Sequence, residues 1–315
     1  MPNTILTYLD AVSRDENTAV TVGTFDGLHL GHRTLIETLV EKAREIGGRS
    51  VLITFNPHPR EVLHGGHNPI GLLTTIEERA EILAELGIDT MVVIPFDRDF
   101  SLLSSETFIK EVIHERIGLR RFIIGYDHHF GRNREGTIKT VERIAPELGY
   151  DVHLVEAHEV KHHTVSSTRI RRALVDAGDA ALAKSLLGRP YPLRGLVVHG
   201  DKKGRGIGYP TANICVGNER KVIPKNGVYA VEVHFEDKIY GGMLNIGVRP
   251  TVTESAELRI EVHIFDFDLE IYGRELKVYF HQRIREEQKF DGLEHLKSQL
   301  AQDKADCINV LKSVY

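Results

Sequence analysis

Pro190 and Pro192, in the run Gly188-Arg189-Pro190-Tyr191-Pro192, divide this chain into two halves with different periodicity. Neither proline can continue a helix, and the hydrophobic pattern changes across them. Upstream, short β-branched runs at residues 19–22, 50–55, 90–94, 121–124 and 151–155 alternate with helix-period segments. Residues 34–46 put Leu35, Leu39 and Ala43 on one face, and residues 76–86 repeat the scheme with Ala80, Leu83 and Leu86. Five such βα repeats predict an open, doubly wound α/β fold on a parallel sheet. Downstream, alternation takes over: Val231, Val233 and Phe235 oppose Glu232 and His234, and Leu276, Val278 and Phe280 oppose Lys277, Tyr279 and His281. Glu236-Asp237-Lys238 reads as a hairpin connection, and short strands at this spacing predict an antiparallel β-barrel. Helix returns at the end, where Leu293, Leu296 and Leu300 share a face and Asp303 is placed to cap a final helix through Leu311. The expected domains are residues 1–185 and 186–315.

Bulk properties narrow the function. A length of 315 residues fits two domains, and 41% apolar with 27% charged residues is a globular composition. The sequence has no apolar run long enough to span a bilayer, and Asp10 interrupts the mildly apolar start, so residues 1–12 do not read as a secretion signal. Two cysteines, Cys215 and Cys307, make no disulfide framework and point to a reducing cytoplasm. A net charge of −5 supplies no polyanion-binding field, so neither nucleic acid nor membrane is an expected partner.

Two glycine-rich signatures carry the chemistry, and neither is a P-loop, since no Gly-Lys-Ser/Thr closes the required gap. The first is Gly23-Thr24-Phe25-Asp26-Gly27-Leu28-His29-Leu30-Gly31-His32, between an expected strand and an expected helix. Its glycines allow a tight turn, and the helix start offers free N–H groups to an anion. His29 and His32, three apart, can face one ligand and donate to oxygens that gain charge when a triphosphate is attacked at its α-phosphorus. Ordinary helix-start residues, or half of a metal site, are the other readings of the pair. Ser166-Ser167-Thr168-Arg169-Ile170-Arg171 adds hydroxyls and guanidiniums suited to a pyrophosphate leaving group, or else forms a plain capping run. Pro57-His58-Pro59 is either a pocket-shaping segment or a rigid loop with an incidental histidine.

The second signature is Gly204-Arg205-Gly206-Ile207-Gly208-Tyr209-Pro210-Thr211-Ala212-Asn213. Gly204, Gly206 and Gly208 permit backbone to approach phosphate, and Pro210 forbids the helix of a dinucleotide fingerprint. Thr211 and Asn213 present a hydroxyl and a carbonyl oxygen on one side of a strand, suited to Mg²⁺ carrying ATP, or they are turn residues. Glu261 and His263 share a strand face; each is a candidate general base, and a solvent-facing glutamate is the alternative for Glu261.

These motifs, in this order, resemble bacterial bifunctional riboflavin kinase/FAD synthetases over almost the whole chain. The first half matches through Gly23 to Gly27 with His29 to His32, Phe55-Asn56-Pro57-His58-Pro59, Gly125-Tyr126-Asp127 with Phe130-Gly131, and Ser166 to Arg171. The second matches through Pro210 to Asn213, Asn245-Ile246-Gly247-Val248-Arg249-Pro250-Thr251 and Glu261-Val262-His263. The resemblance implies a Rossmann-like nucleotidyltransferase domain followed by a riboflavin kinase barrel, with riboflavin, FMN, FAD and ATP as ligands and Mg²⁺ as cofactor. It implies that Gly23, Phe25, His29 and His32 meet ATP, that Ser166, Thr168 and Arg169 hold its β and γ phosphates, and that Asp127 lies near the adenylyl transfer site. It assigns Pro57, His58, Asn245 and Arg285 to the flavin, with Arg285 also readable as part of a surface charge run, and makes Glu261 the base. His128 and His129 depart from the family's aromatic-then-basic pair and read as solvated or flavin-facing. A chain with one working module, and a non-catalytic flavin- or RNA-associated protein, are the rival expectations.

Overall fold

The strand and helix periods of the two halves resolve into two compact units, Met1–Ser167 and Thr168–Tyr315. The computed structural model describes residues 5–63, 70–126, 128–156, 159–160, 163–200, 203–249 and 257–312.

In the first unit, β1 (Ile5–Tyr8), β2 (Thr18–Val22), β3 (Arg49–Asn56), β4 (Thr90–Pro95), β5 (Arg121–Gly125) and β6 (Asp151–Val155) form a sheet in the order β1-β4-β3-β2-β5-β6. Every pairing is parallel. A parallel sheet must be covered on both faces, and the alternation along each strand shows how. Val20, Val22, Ile53, Val92 and Phe122 pack on one side with Ile109, Ile113 and Ile144. Ala19, Leu52, Met91 and Ile123 pack on the other with Ile36, Leu39 and Leu83. Those covering residues lie on α1 (Leu30–Glu45), α3 (Ile76–Glu85), α5 (Ile138–Leu148) and the π-helical turns Phe108–Ile117, which continue α4 (Ser105–Thr107). The short α2 (Pro59–Leu63) follows β3, and β7 (Glu159–Val160) and β8 (His163–Thr164) make a small hairpin. All five expected strands are present, and β1 is a sixth. It escapes the periodicity because it lies at the sheet edge, with Ile5, Leu6 and Tyr8 exposed.

The second unit opens with α6 (Ser167–Arg172), whose first residue belongs to the first unit, and α7 (Ala180–Leu187). A closed antiparallel barrel follows in the order β10-β13-β12-β11-β14-β9. Its strands are β9 (Tyr191–Val198), β10 (Ala212–Cys215), β11 (Gly227–Phe235), β12 (Lys238–Arg249), β13 (Glu257–Ile264) and β14 (Glu275–Arg285). Val231, Val233, Leu244, Val262, Val278 and Phe280 are fully buried. Glu236-Asp237 turns β11 into β12 as expected, with Glu236 at φ 53°. On the barrel's outer face Ala230, Met243 and Phe265 pack against Cys307 and Leu311 of α8 (Leu293–Lys312).

One expectation fails here. Asp303 does not cap a final helix; it sits inside α8, a single continuous element, and is fully buried. The residue is an acceptor for Arg285 of β14, a long-range demand that outweighs its local preference for a helix start.

Candidate active sites

The glycine turn of the first unit leaves the carboxyl end of β2, the strand from which the sheet grows in both directions, and enters α1. Ligands of open α/β sheets bind at such a switch point. The turn is tightly wound: Phe25, Gly27 and Leu28 have φ of 46°, 86° and 44°. Left-handed backbone at Phe25 and Leu28 costs energy that surrounding structure must supply. Asp26, fully buried, is its source. Its carboxylate accepts from the Leu73 N–H at 3.1 Å, the Thr74 N–H at 2.9 Å and the Thr74 hydroxyl at 3.3 Å. Arg79, equally buried, stands 3.8 Å from Asp26 and donates to the Thr54 hydroxyl at 2.8 Å and the Thr74 carbonyl at 3.3 Å. Thr54 in turn donates to the Thr24 carbonyl at 3.1 Å, so the network returns to the turn. Burial pulls the Arg79 guanidinium below its ordinary range, with Asp26 opposing.

His29 is the N-cap of α1, and its Nδ1 accepts from the His32 N–H at 3.2 Å. An accepting Nδ1 leaves the proton of a neutral ring on Nε2. The rings of His29 and His32 stack at 3.6 Å, and Phe25 meets His32 edge-on at 5.2 Å. Gly23 lies under the Phe25 ring, where a Cβ would come within 2.9 Å of it. Among the described residues no group of three or more His, Cys, Asp or Glu side chains could hold a metal ion.

Ser167, the last residue of the first unit, donates its hydroxyl to the Asp26 carbonyl at 2.8 Å. Ser166 and Arg169 are half-buried and Thr168 is exposed. Pro57 and His58 follow β3 at the same carboxyl end of the sheet as the turn, both half-buried, with His58 Nδ1 accepting from the Arg60 N–H at 3.2 Å. Asp127 lies outside the described residues, as do Pro250 and Thr251. The network behind the turn is what sequence reasoning missed. Asp26 lies inside the motif, but Arg79 sits in a helix whose sequence signals only amphipathicity.

In the barrel, strand register assembles the site. Asn213 of β10 pairs with Glu261 of β13, and Glu261 pairs on its other side with Asn245 of β12. Three residues picked from separate motifs are therefore direct cross-strand neighbours, with Cβ atoms about 5 Å apart in such pairs. The row continues through Val228 of β11 to Arg285 of β14. Glu261 is half-buried, with an Arg259 nitrogen 4.0 Å away.

The glycine loop leads into β10, the strand that bears Asn213. Lys203–Ile207 forms a 3₁₀ turn, and the Tyr209 N–H bonds to the Gly204 carbonyl at 2.9 Å. A Cβ at Gly204 would meet the Tyr209 carbonyl oxygen at 2.2 Å, so only glycine fits. Gly208 has φ +85°, and Gly206 is exposed with open space around it. Thr211 is exposed and precedes β10 by one residue, so it shares no strand face with Asn213. The Gly200 backbone packs on Asn213, where a Cβ would lie 2.2 Å from Nδ2.

Arg285 spends its guanidinium on α8. Nε and a terminal nitrogen donate to the two Asp303 oxygens at 2.8 and 2.7 Å, the other terminal nitrogen donates to the Glu286 carbonyl, and Phe290 lies beneath at 5.7 Å. The bidentate pair clamps the barrel to its helix.

Comparison with known proteins finds relatives for both halves of the chain. Residues 11–169 match the family model for FAD synthetase, and residues 187–311 that for riboflavin kinase. Bifunctional riboflavin kinase/FMN adenylyltransferase of Listeria monocytogenes is 39% identical over 292 residues, 93% of this chain and 92% of that protein. The protein of the same description from Escherichia coli K12 is 38% identical over 290 residues, covering 92% and 91%. A solved structure from Streptococcus pneumoniae, described as a macrolide-efflux protein, superposes with a TM-score of 0.89 at 32% identity, covering 98% of this chain and 99% of that one. Among the described residues here, no helix is long and apolar enough to cross a membrane. With both domain models matched in order and relatives aligned along nine-tenths of its length, the chain belongs to the bifunctional riboflavin kinase/FMN adenylyltransferase family.

Proposed function

We propose that the two activities of this family, phosphorylation of riboflavin to FMN and adenylylation of FMN to FAD, run on the two glycine-turn sites described above, one in each unit. The observation that carries the reading is the placement of Glu261 directly between Asn213 and Asn245 on neighbouring strands. There Glu261 takes the proton from the ribityl 5′-hydroxyl as that oxygen attacks the γ-phosphorus of ATP, and ADP leaves. Asn245 and the Arg285 clamp serve the flavin side, and Gly204, Gly206 and Gly208 let backbone lie along the phosphates. Thr211 and Asn213 supply hard oxygen donors that would suit Mg²⁺ accompanying ATP. The ion would neutralise phosphate charge.

In the other unit, a phosphate oxygen of FMN attacks the α-phosphorus of a second ATP, and pyrophosphate departs. His29, through Nε2–H, and His32 donate to the oxygens that gain charge. Gly23 and Phe25 shape the turn, Ser166, Thr168 and Arg169 hold the leaving pyrophosphate, Pro57 and His58 border the FMN, and Asp127 serves the nucleotide near the adenylyl transfer site. The functional boundaries follow residues 1–185 for adenylyl transfer and 186–315 for the kinase. The free thiols Cys215 and Cys307 suit a reducing cytoplasm. The partners are small molecules, with neither nucleic acid nor membrane among them.

The test is product analysis by chromatography. Riboflavin, ATP and Mg²⁺ yield FMN and then FAD; FMN, ATP and Mg²⁺ yield FAD and pyrophosphate. Absence of both products defeats the reading.

A further inference from the structure

Two residues beyond Glu261 on β13, His263 points from the same strand face and is 7% exposed. Its Nδ1 lies 2.8 Å from the Pro210 carbonyl oxygen. A carbonyl can only accept, so Nδ1 carries the ring's proton and the Nε2 lone pair is left. The Tyr209 ring meets the imidazole at 5.3 Å and Phe265 at 5.8 Å, both edge-to-face. One side chain thus grips two consecutive residues, 209 and 210, at the point where the glycine loop becomes β10.

That point needs an anchor. The ladder between β10 and β13 begins only at Ala212 opposite Val262, and Pro210 has no N–H to extend it. The Pro210-Thr211 peptide, whose plane aims Thr211, therefore lies beyond strand pairing. The Tyr209 N–H is engaged with Gly204, so a shift at 209–210 moves the glycine loop as well.

We propose that His263 is a positioning residue of the kinase site, fixing the Pro210-Thr211 peptide and the glycine loop to the strand that bears Glu261. The inference rests on the functional reading above. It also reassigns His263, which sequence alone offers as a second candidate base. Burial pulls its pKa below the usual imidazole value, so the ring is neutral at pH 7 and needs no charge to do this work.

The variants His263→Asn and His263→Gln separate the roles, because asparagine places an amide N–H where Nδ1 stood and glutamine places one where Nε2 stood. In the intact chain, riboflavin kinase kinetics, MgADP affinity by calorimetry and the kcat pH profile are measured, with FMN adenylylation as internal control. His263→Asn is expected to keep kcat/KM for MgATP within about 3-fold. His263→Gln is expected to lose about 10- to 100-fold, as a misplaced loop does, with MgADP binding weakened about 10-fold. Both should keep the wild-type pH profile and adenylylation rate. Equal behaviour of the two variants overturns the inference. So does a His263→Asn chain that is inactive and has lost the acid limb of its profile, since that makes His263 the base. Wild-type chain without kinase activity sinks the functional reading and this inference together, whereas an active wild type with indifferent variants sinks this inference alone.

Discussion

The histidines of the first unit stand on a turn whose backbone is held in place from behind, whereas the glutamate of the second owes its position to strand register. Asp26 accepts from residues 73 and 74 and has the Arg79 cation beside it, all about fifty positions away in sequence, and without them a left-handed Phe25 and Leu28 have no reason to persist. Glu261 needs no such scaffold, because barrel closure alone sets Asn213 and Asn245 beside it. A loop site concentrates its vulnerability in a few buried polar groups. A ladder site spreads it over main-chain bonds that most substitutions leave intact.

The largest expected effect separates the two activities. Glu261→Gln lowers riboflavin phosphorylation by about 100- to 10,000-fold, the usual range for a lost general base, and leaves FAD formation from added FMN unchanged. His29→Ala does the reverse, costing adenylylation about 100- to 1,000-fold for a lost charge-stabilising donor while FMN still accumulates from riboflavin. Loss of both activities in either variant breaks the comparison.

Arg79→Met sharpens it. Removing the cation leaves the Asp26 carboxylate buried and short of a partner, and the first unit loses about 3–5 kcal/mol of stability, while the kinase keeps its rate. Calorimetry of the intact chain should show one transition moving down and the other staying; a shift below about 1 kcal/mol, on the order of a surface pair, contradicts the scaffold.

Gly200→Ala is the matching insult to the barrel site. Its Cβ must push Asn213 aside, and overpacking of about 1–3 kcal/mol predicts a roughly 10-fold drop in kinase kcat/KM with the adenylyl reaction intact.

The smallest effect is a pH dependence confined to the second unit. Burial draws His263 and His281 below the usual imidazole value, with Lys184 adding to the shift at His281 and Glu232 opposing it. The unfolded chain then binds more protons than the folded one between the lowered values and about 6.5, so stability falls as pH drops through that window. Urea unfolding at several pH values, followed on the second unit, checks the sign.

Much of this architecture is legible in the residue pattern alone. The other five strands of the parallel sheet, β2 to β6, and the alternating barrel strands are visible because burial imposes a period on them. Strand β1 is not, since an edge strand with exposed apolar side chains has no such period. Asp303 misleads because its local preference is for a cap, while its actual partner, Arg285, is eighteen positions away in the chain. The candidate site residues stand out one motif at a time. That Glu261 falls between two asparagines depends on register, and the Asp26–Arg79 support depends on how α3 packs; neither leaves a local mark.

The central claim, two separately built sites that each run one reaction, has a direct test in complementation. Glu261→Gln chains and His29→Ala chains each fail to make FAD from riboflavin, ATP and Mg²⁺, and mixing them in equal amounts restores it through FMN released by the second and used by the first. A mixture as inert as its components, with both variants folded, contradicts the account.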